Sequence, residues 1–309
     1  MTPANHPSDP KPEVITLKTQ EPPIWKRMRD SMFKAKWPVI ALIVLLTMTF
    51  FALFGPQIAP KDPNRQSLME RLLPPLHTND AGGVDYALGT DGLGRDLLSR
   101  VIYGARVSLA VGFAAMLIGG VLGTMLGIFA GYFGGVIDDF IMRVADIQLA
   151  FPFILLAILV LVVLGPGVGN LVIVLGVGQW VTYARIARAQ TLSQREKEYV
   201  EAARSIGARD REIILRAILP NIIAPLIVIA SFNVASVILS EASLSFLGLG
   251  VPPTVPTWGG ILAESRDGLI GGYWWIAVFP GIAIMLTVLS LNILGDWLRD
   301  FLDPRLRKR

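Results

Sequence analysis

The chain has 309 residues, 53% of them hydrophobic and only 17% charged, with a mean hydropathy of +0.56 and a net charge of +4. Several uncharged runs are long enough to cross a bilayer, and the basic residues cluster beside them, so the small positive excess is no nucleic-acid signal. No cysteine is present, which excludes a disulfide framework, thiolate chemistry and cysteine metal sites.

Residues 1–23 carry Pro3, Pro7, Pro10, Pro12, Pro22 and Pro23 and no apolar periodicity, the pattern of a disordered tail. The first apolar run begins too late and lasts too long for a cleavable signal peptide. From Ile24 to Lys36 the chain turns basic and aromatic, with Trp25, Lys26, Arg27, Arg29, Phe33 and Lys34, then Trp37. That segment reads as an interfacial anchor closing a cytoplasmic region 1–36.

The first span runs from Trp37 to Pro60 without a charge, and a hydrophilic stretch follows from Lys61 to Arg106. Together they form a unit 37–106, a membrane helix with a long outer loop. Within that loop Leu88–Arg100 holds Gly89, Thr90, Asp91, Gly94, Arg95 and Asp96, a turn-forming composition. With only His6 and His77 in the chain, Asp91 and Asp96 read as solvated turn carboxylates rather than metal ligands.

The core unit, 107–309, opens with a second span within Val107–Ile137. Gly119, Gly123, Gly127, Gly131 and Gly135 recur there every four residues. Small residues at that spacing let helix backbones approach closely in lipid, either within the chain or against another subunit. Asp138, Asp139, Arg143 and Asp146 follow, read as local ion pairs or caps. The third span is expected over 147–164 and the fourth over 168–184, joined by a tight turn at Gly165–Gly169.

Next comes a charged, small-residue stretch, 193–220, on which the functional reading rests. Ser193 and Glu196 have capping-box spacing, so a helix is expected from there to Ile206, ended by Gly207 in a left-handed backbone. Asp210 is expected to cap a second short helix, and Pro220 to break or re-aim the chain. Val200, Ala203 and Ile206 supply an apolar edge. The fifth span covers 217–240 and the sixth lies within 268–295. Three quarters of the 28 lysines and arginines fall in 1–36, 138–146, 185–216 and 299–309, which places both termini and the 193–220 stretch on the cytoplasmic side.

Glu201-Ala202-Ala203, then Gly207 and Leu219-Pro220, resemble the EAA loop of the permease subunits of ABC importers. In that family the loop forms a coupling helix seated in a groove of the ATP-hydrolysing subunit. The resemblance assigns that coupling role to Tyr199, Glu201, Ala202, Ala203, Gly207, Leu219 and Pro220. The isoleucine usual two residues before the Leu-Pro is replaced by Ala217, with Ile218 beside it. Three further stretches are similar to the dipeptide, oligopeptide and nickel branch: Leu88–Arg100 with Tyr103–Leu109, Glu241–Gly250 with Pro252, Pro253 and Trp258-Gly259, and Leu291–Arg305. The long first loop fits the C-type member of the two permeases.

The resemblance implies an all-α polytopic membrane protein of six transmembrane helices with the type I ABC importer permease fold, in a bacterial inner membrane. It implies a second homologous permease, two ATP-binding subunits that carry ATP and Mg, and a periplasmic solute-binding protein, with no cofactor held by this chain. Nickel complexes and glutathione stand beside peptides as cargo. The outer Gly248–Trp258 stretch, proline-stiffened with an aromatic tip, either receives the binding protein or caps the bundle.

Polar residues inside the spans are few. Asn233, Ser236, Ser240 and Glu241 either line a pathway or make interhelical hydrogen bonds, and Glu241 alone is ionisable. That scarcity argues against an ion-coupled secondary transporter. No phosphate-binding Gly-x4-Gly-Lys-Ser/Thr, His-Glu-x-x-His or Gly-x-Ser-x-Gly occurs, which argues against an intramembrane enzyme and places nucleotide hydrolysis on a partner.

Overall fold

The computed structural model describes residues 23–78 and 82–302, so the proline-rich tail and the last residues of the Leu291–Arg305 motif lie outside it. Helix α1 (Ile24–Lys34) and helix α2 (Lys36–Ile58) are separated by a single extended residue, Ala35. A loop with a short antiparallel pair, β1 (His77–Thr78) and β2 (Val84–Tyr86), leads to α3 (Leu97–Phe133). Then come α4 (Gly135–Leu149), α5 (Phe153–Leu164), α6 (Val168–Arg195) and the short α7 (Glu198–Ser205). A turn of helix α8 (Asp210–Glu212) passes through a π-helical segment (Ile213–Ile218) into α9 (Leu219–Phe246). Helices α10 (Trp258–Ile270) and α11 (Trp275–Leu302) complete the chain.

Among the described residues five helices are long and apolar enough to cross a membrane, and α4 with α5, bent by 86°, makes a sixth crossing if taken as one broken span. The expected straight third span is therefore corrected. Pro152 disfavours helical backbone at Phe151, and the chain turns sharply there. The second span is also longer than expected, beginning at Leu97, because Asp96 caps it by accepting hydrogen bonds from the Ser99 amide (2.8 Å) and hydroxyl (2.6 Å). The sixth runs over 275–302, and α10, which no sequence signal marked, precedes it.

Helices α3 and α6 form the most extensive pair in the molecule. A Cβ on Gly119, Gly123, Gly127 or Gly131 would lie 2.6, 2.2, 2.3 and 2.8 Å from the carbonyl oxygens of Gly176, Trp180, Ala184 and Arg188. Each glycine thus sits one turn below the last against one turn of α6, so the ridge is an intrachain backbone contact. Gly135 is not part of it. It follows the break at Gly134, has φ +54, and a Cβ there would meet nothing within 4 Å. The opposite face of α3, with Leu117, Val121 and Met125, is exposed, so the span as a whole is not enclosed by this chain.

Around this pair, one apolar cluster joins α3, α9, α10 and α11, a second joins α3, α5, α6 and α9, and a third lies at the α7 end. Two of the acidic residues after α3 make interhelical rather than local pairs: Asp138 with Arg188, and Asp146 with Arg185 at 2.6 Å.

Candidate functional site

At one end of the bundle α7 crosses beneath the last turn of α6. It does not begin with a Ser193–Glu196 capping box: α6 continues through Arg195, Lys197 occupies the cap position and no side chain caps α7. Arg195 instead donates through Nη1 to the carbonyls of Gly131 (3.2 Å) and Tyr132 (3.0 Å), closing the end of α3.

The far end of α7 follows the sequence. Gly207 has φ +83, its amide donates to Arg204 O (3.0 Å), and the Ala208 amide donates to Ala203 O (3.1 Å). That is a Schellman ending, which an L-residue with a Cβ adopts only under strain. Asp210 does not cap α8. Arg209 holds that position, and Asp210 Oδ1 instead accepts from the Tyr132 hydroxyl (2.6 Å), tying the turn to the end of α3. Pro220 does not break the chain either. It stands in the first turn of α9, where a missing amide donor costs least, directly after the wider π turn.

The sequence pattern resolves into a root and an outer face. Val200 is fully buried among Ile128, Tyr132, Tyr183, Ile213, Ile218 and Ile222, with Ala203, Ala217 and Leu219 packed at the margin. Ile218, not Ala217, supplies the apolar contact shifted by one position. Ile206 departs from the expected apolar edge: it is 86% exposed. Glu201, Ala202, Gly207 and Pro220 are exposed beside it. Tyr199 donates to Gln194 Oε1 (2.7 Å) and accepts from Asn221 Nδ2 (3.4 Å), bridging α6, α7 and α9. The result is a short helix fixed by a few buried side chains, offering a small-residue, mixed-charge surface with one bare isoleucine.

The opposite end is built differently. Asp91 is 1% exposed and Asp96 4%, so neither is a solvated turn carboxylate. Asp91 Oδ2 accepts from Arg95 Nε (2.7 Å) and Arg100 Nη1 (2.6 Å), while its Oδ1 accepts the amides of Leu93 (2.8 Å) and Arg95 (3.0 Å). Arg95 and Arg100 both reach Glu264 on α10, the latter through Nη2 at 3.1 Å. Thr90 Oγ1 donates to Glu70 O (2.6 Å), and Thr90 O accepts from Trp275 Nε1 (3.1 Å). Gly89 and Gly94 have φ +81 and +74, and a Cβ would fall 2.5 Å from Leu73 O and 1.8 Å from Ser67 O. Glu264 was missed in the sequence because its only signal is a lone charge on an unrecognised helix.

Trp258 is no outer aromatic tip. It is fully buried, donating through Nε1 to Val101 O (2.9 Å) and through its amide to Ser108 Oγ (3.2 Å). The four candidate pathway residues on α9 differ in burial. Asn233 and Glu241 point into the bundle, and Glu241 is fully enclosed, held by Ser245 Oγ (2.8 Å) and Ser108 Oγ (3.4 Å), so it borders no open pathway. Ser236 is exposed and Ser240 half-buried, with Ser240 Oγ donating to Ser236 O (2.9 Å). Among the described residues no group of three His, Asp or Glu side chains is arranged to hold a metal.

Comparison with known proteins agrees with this architecture. Residues 123–308 match the model for binding-protein-dependent transport system inner membrane components, and residues 24–75 that for the N-terminal TM domain of oligopeptide transport permease C. The di/tripeptide transport system permease protein DppC of Pseudomonas aeruginosa is 42% identical, covering 91% of this chain and 92% of that protein. The dipeptide permease DppC of Bacillus subtilis is 40% identical over 92% of this chain and 85% of its own length. The glutathione transport system permease protein GsiD of Escherichia coli is 41% identical, over 96% and 94%. An inward-facing structure of the MetNI methionine ABC transporter superposes with a TM-score of 0.54 at 20% identity, covering 66% of this chain and 97% of that one.

Proposed function

Because the chain belongs to the family of binding-protein-dependent transport system inner membrane components, a multi-span permease of bacterial ABC importers, we propose that it passes di- and oligopeptides inward with energy supplied by separate ATPase subunits. The permease itself is not catalytic. The observation that carries the reading is the bare surface of α7 around Ile206 on a rigid root: a helix so exposed at the end of an apolar bundle is built to press on something else. In this reading α7 lies in the cytoplasm with both termini, and the basic residues near the membrane ends support that orientation.

Two ATPase subunits, carrying the ATP and Mg, draw the two permeases' α7 helices together, and the bundle rotates as a rigid body between outward-open and inward-open states. The buried root of Val200, Ile213 and Ile218 transmits the push to α3, α6 and α9. The opposite end, stiffened by the Asp91–Glu264 clasp, faces the periplasmic solute-binding protein. The peptide cargo rests on the named relatives, among which a glutathione permease also stands. The test is uptake by proteoliposomes of the whole complex. ATP-dependent accumulation of dipeptides supports the proposal, whereas uptake without ATP, or of glutathione or nickel in place of peptides, overturns it.

A further inference from the structure

Beyond the transport cycle, helix α1 has an unassigned surface. Trp25, Met28 and Phe33 are 63%, 42% and 66% exposed, and Trp37, at the start of α2, is 70% exposed. Met32 and Ser31 lie on the side turned toward the protein, where α1 packs on α2 and α11. Interleaved with the bare apolar side chains are the exposed cations Lys26, Arg29 and Lys36, against a single acidic residue, Asp30, which pairs with Arg29 at 3.1 Å.

Only Ala35 separates this helix from α2, whose 23 residues carry no charge beyond Lys36 itself. The exposed side chains Ile40, Ile43 and Leu46 continue the apolar surface into the span. One extended residue reaches only about 3.3–3.6 Å, so α1 cannot stand clear of the layer in which α2 begins. An amphipathic helix at that depth lies with its aromatic side in the acyl boundary and its cations among the headgroups. We infer that α1, with the first residue of α2, is a binding surface for anionic phospholipid headgroups, with Lys26 and Lys36 as the charge-reading residues and Trp25 and Met28 as the inserted ones. This surface is independent of which solute the complex carries.

The chain's lack of cysteine makes the test direct. Met28→Cys, spin-labelled in the assembled complex and corrected for labelling of a complex without the added cysteine, is placed in nanodiscs of phosphatidylcholine with or without phosphatidylglycerol. Relaxation by oxygen against a water-soluble nickel chelate reports depth. The label is expected below the headgroups in the anionic discs and shallower in the neutral ones. Each neutralised lysine weakens membrane seating about 5-fold, so Lys26→Gln with Lys36→Gln is expected to shift it about 25-fold, while Lys→Arg at both positions preserves it. A label equally deep in both lipids, or unmoved by the double neutralisation, overturns the inference. So does a label shielded from both relaxants, which would mean that another subunit covers α1.

Discussion

At the α10 end, Asp91, Arg95 and Arg100 are sealed from water and locked to the partly exposed Glu264 of α10, and two glycines there admit no side chain at all. At the α7 end the short helix hangs on one fully buried valine and a handful of apolar neighbours, and a Cβ on Gly207 would meet nothing within 4 Å. Both ends use glycine, buried apolar anchors and charged residues, yet one is sealed and the other is left open. The difference teaches that rigidity resides where the chain satisfies its own polar groups, and docking capacity where it leaves them facing outward. A buried charge is tolerable only when fully paired, so the sealed end has no charge to spare for a partner.

The largest effect is expected at the clasp. Arg100→Met leaves the Asp91 and Glu264 carboxylates to share one cation, Arg95, and should cost about 3–5 kcal/mol. Thermal unfolding of the purified complex measures it, and a loss as small as that of a surface substitution would break the contrast between the ends. Next comes the α3–α6 seam. Gly123→Ala pushes a methyl against an immovable carbonyl and should cost about 1–3 kcal/mol, whereas Gly135→Ala, which faces open space, should cost only the left-handed backbone strain of about 1–2 kcal/mol. Equal losses of helix–helix packing at both positions would mean that the ridge includes Gly135 after all.

At the open end stability and function should separate. Gly207→Val should cost about 1–2 kcal/mol locally through backbone strain, with peptide uptake lost although the complex still assembles. Ile206→Asp should change stability by no more than about 0.5 kcal/mol while uncoupling substrate from ATP hydrolysis. Normal substrate-stimulated hydrolysis in both variants would remove α7 from the coupling machinery.

The smallest effect concerns acid. Hydrogen bonds from the Ser67 and Tyr86 side chains hold the Glu70 carboxyl below its ordinary 4.5, and burial followed by the Glu70 bond pushes the Tyr86 hydroxyl up. Glu70 therefore contributes its stabilisation in full above 4.5 and loses it as pH falls through its lower folded value. Tyr86 contributes below its ordinary 10 and loses that contribution only at strongly alkaline pH. Hydrogen exchange of residues 67–93 should therefore accelerate on acidification in the parent, and accelerate less in Tyr86→Phe. An identical acid response in the two would count against the Glu70–Tyr86 bond.

Much of the α7 end was legible in sequence. Gly207 announces a left-handed helix ending, because only a residue without Cβ adopts it freely, and the every-fourth-residue glycines announce a close helix contact. Local rules misled where a stronger tertiary partner competed for the same group. Ser193 gave up its cap to the continuation of α6, Asp210 was taken by Tyr132, and Pro220 was absorbed by a π turn.

Composition, uncharged run lengths and glycine spacing determined an oily helical bundle with one charged elbow, because water, lipid and backbone sterics act on each stretch wherever it ends up. Only the folded chain decided that Asp91 and Asp96 are sealed, that Trp258 is core, and that Glu241 is enclosed while Ser236 is not. The Asp91 clasp depends on Glu264, and Trp258 and Glu241 on Ser108, each pair more than a hundred positions apart, and Ser236 on which part of α9 meets a neighbour. Periodicity places side chains around a single helix axis but carries no information about what packs against it.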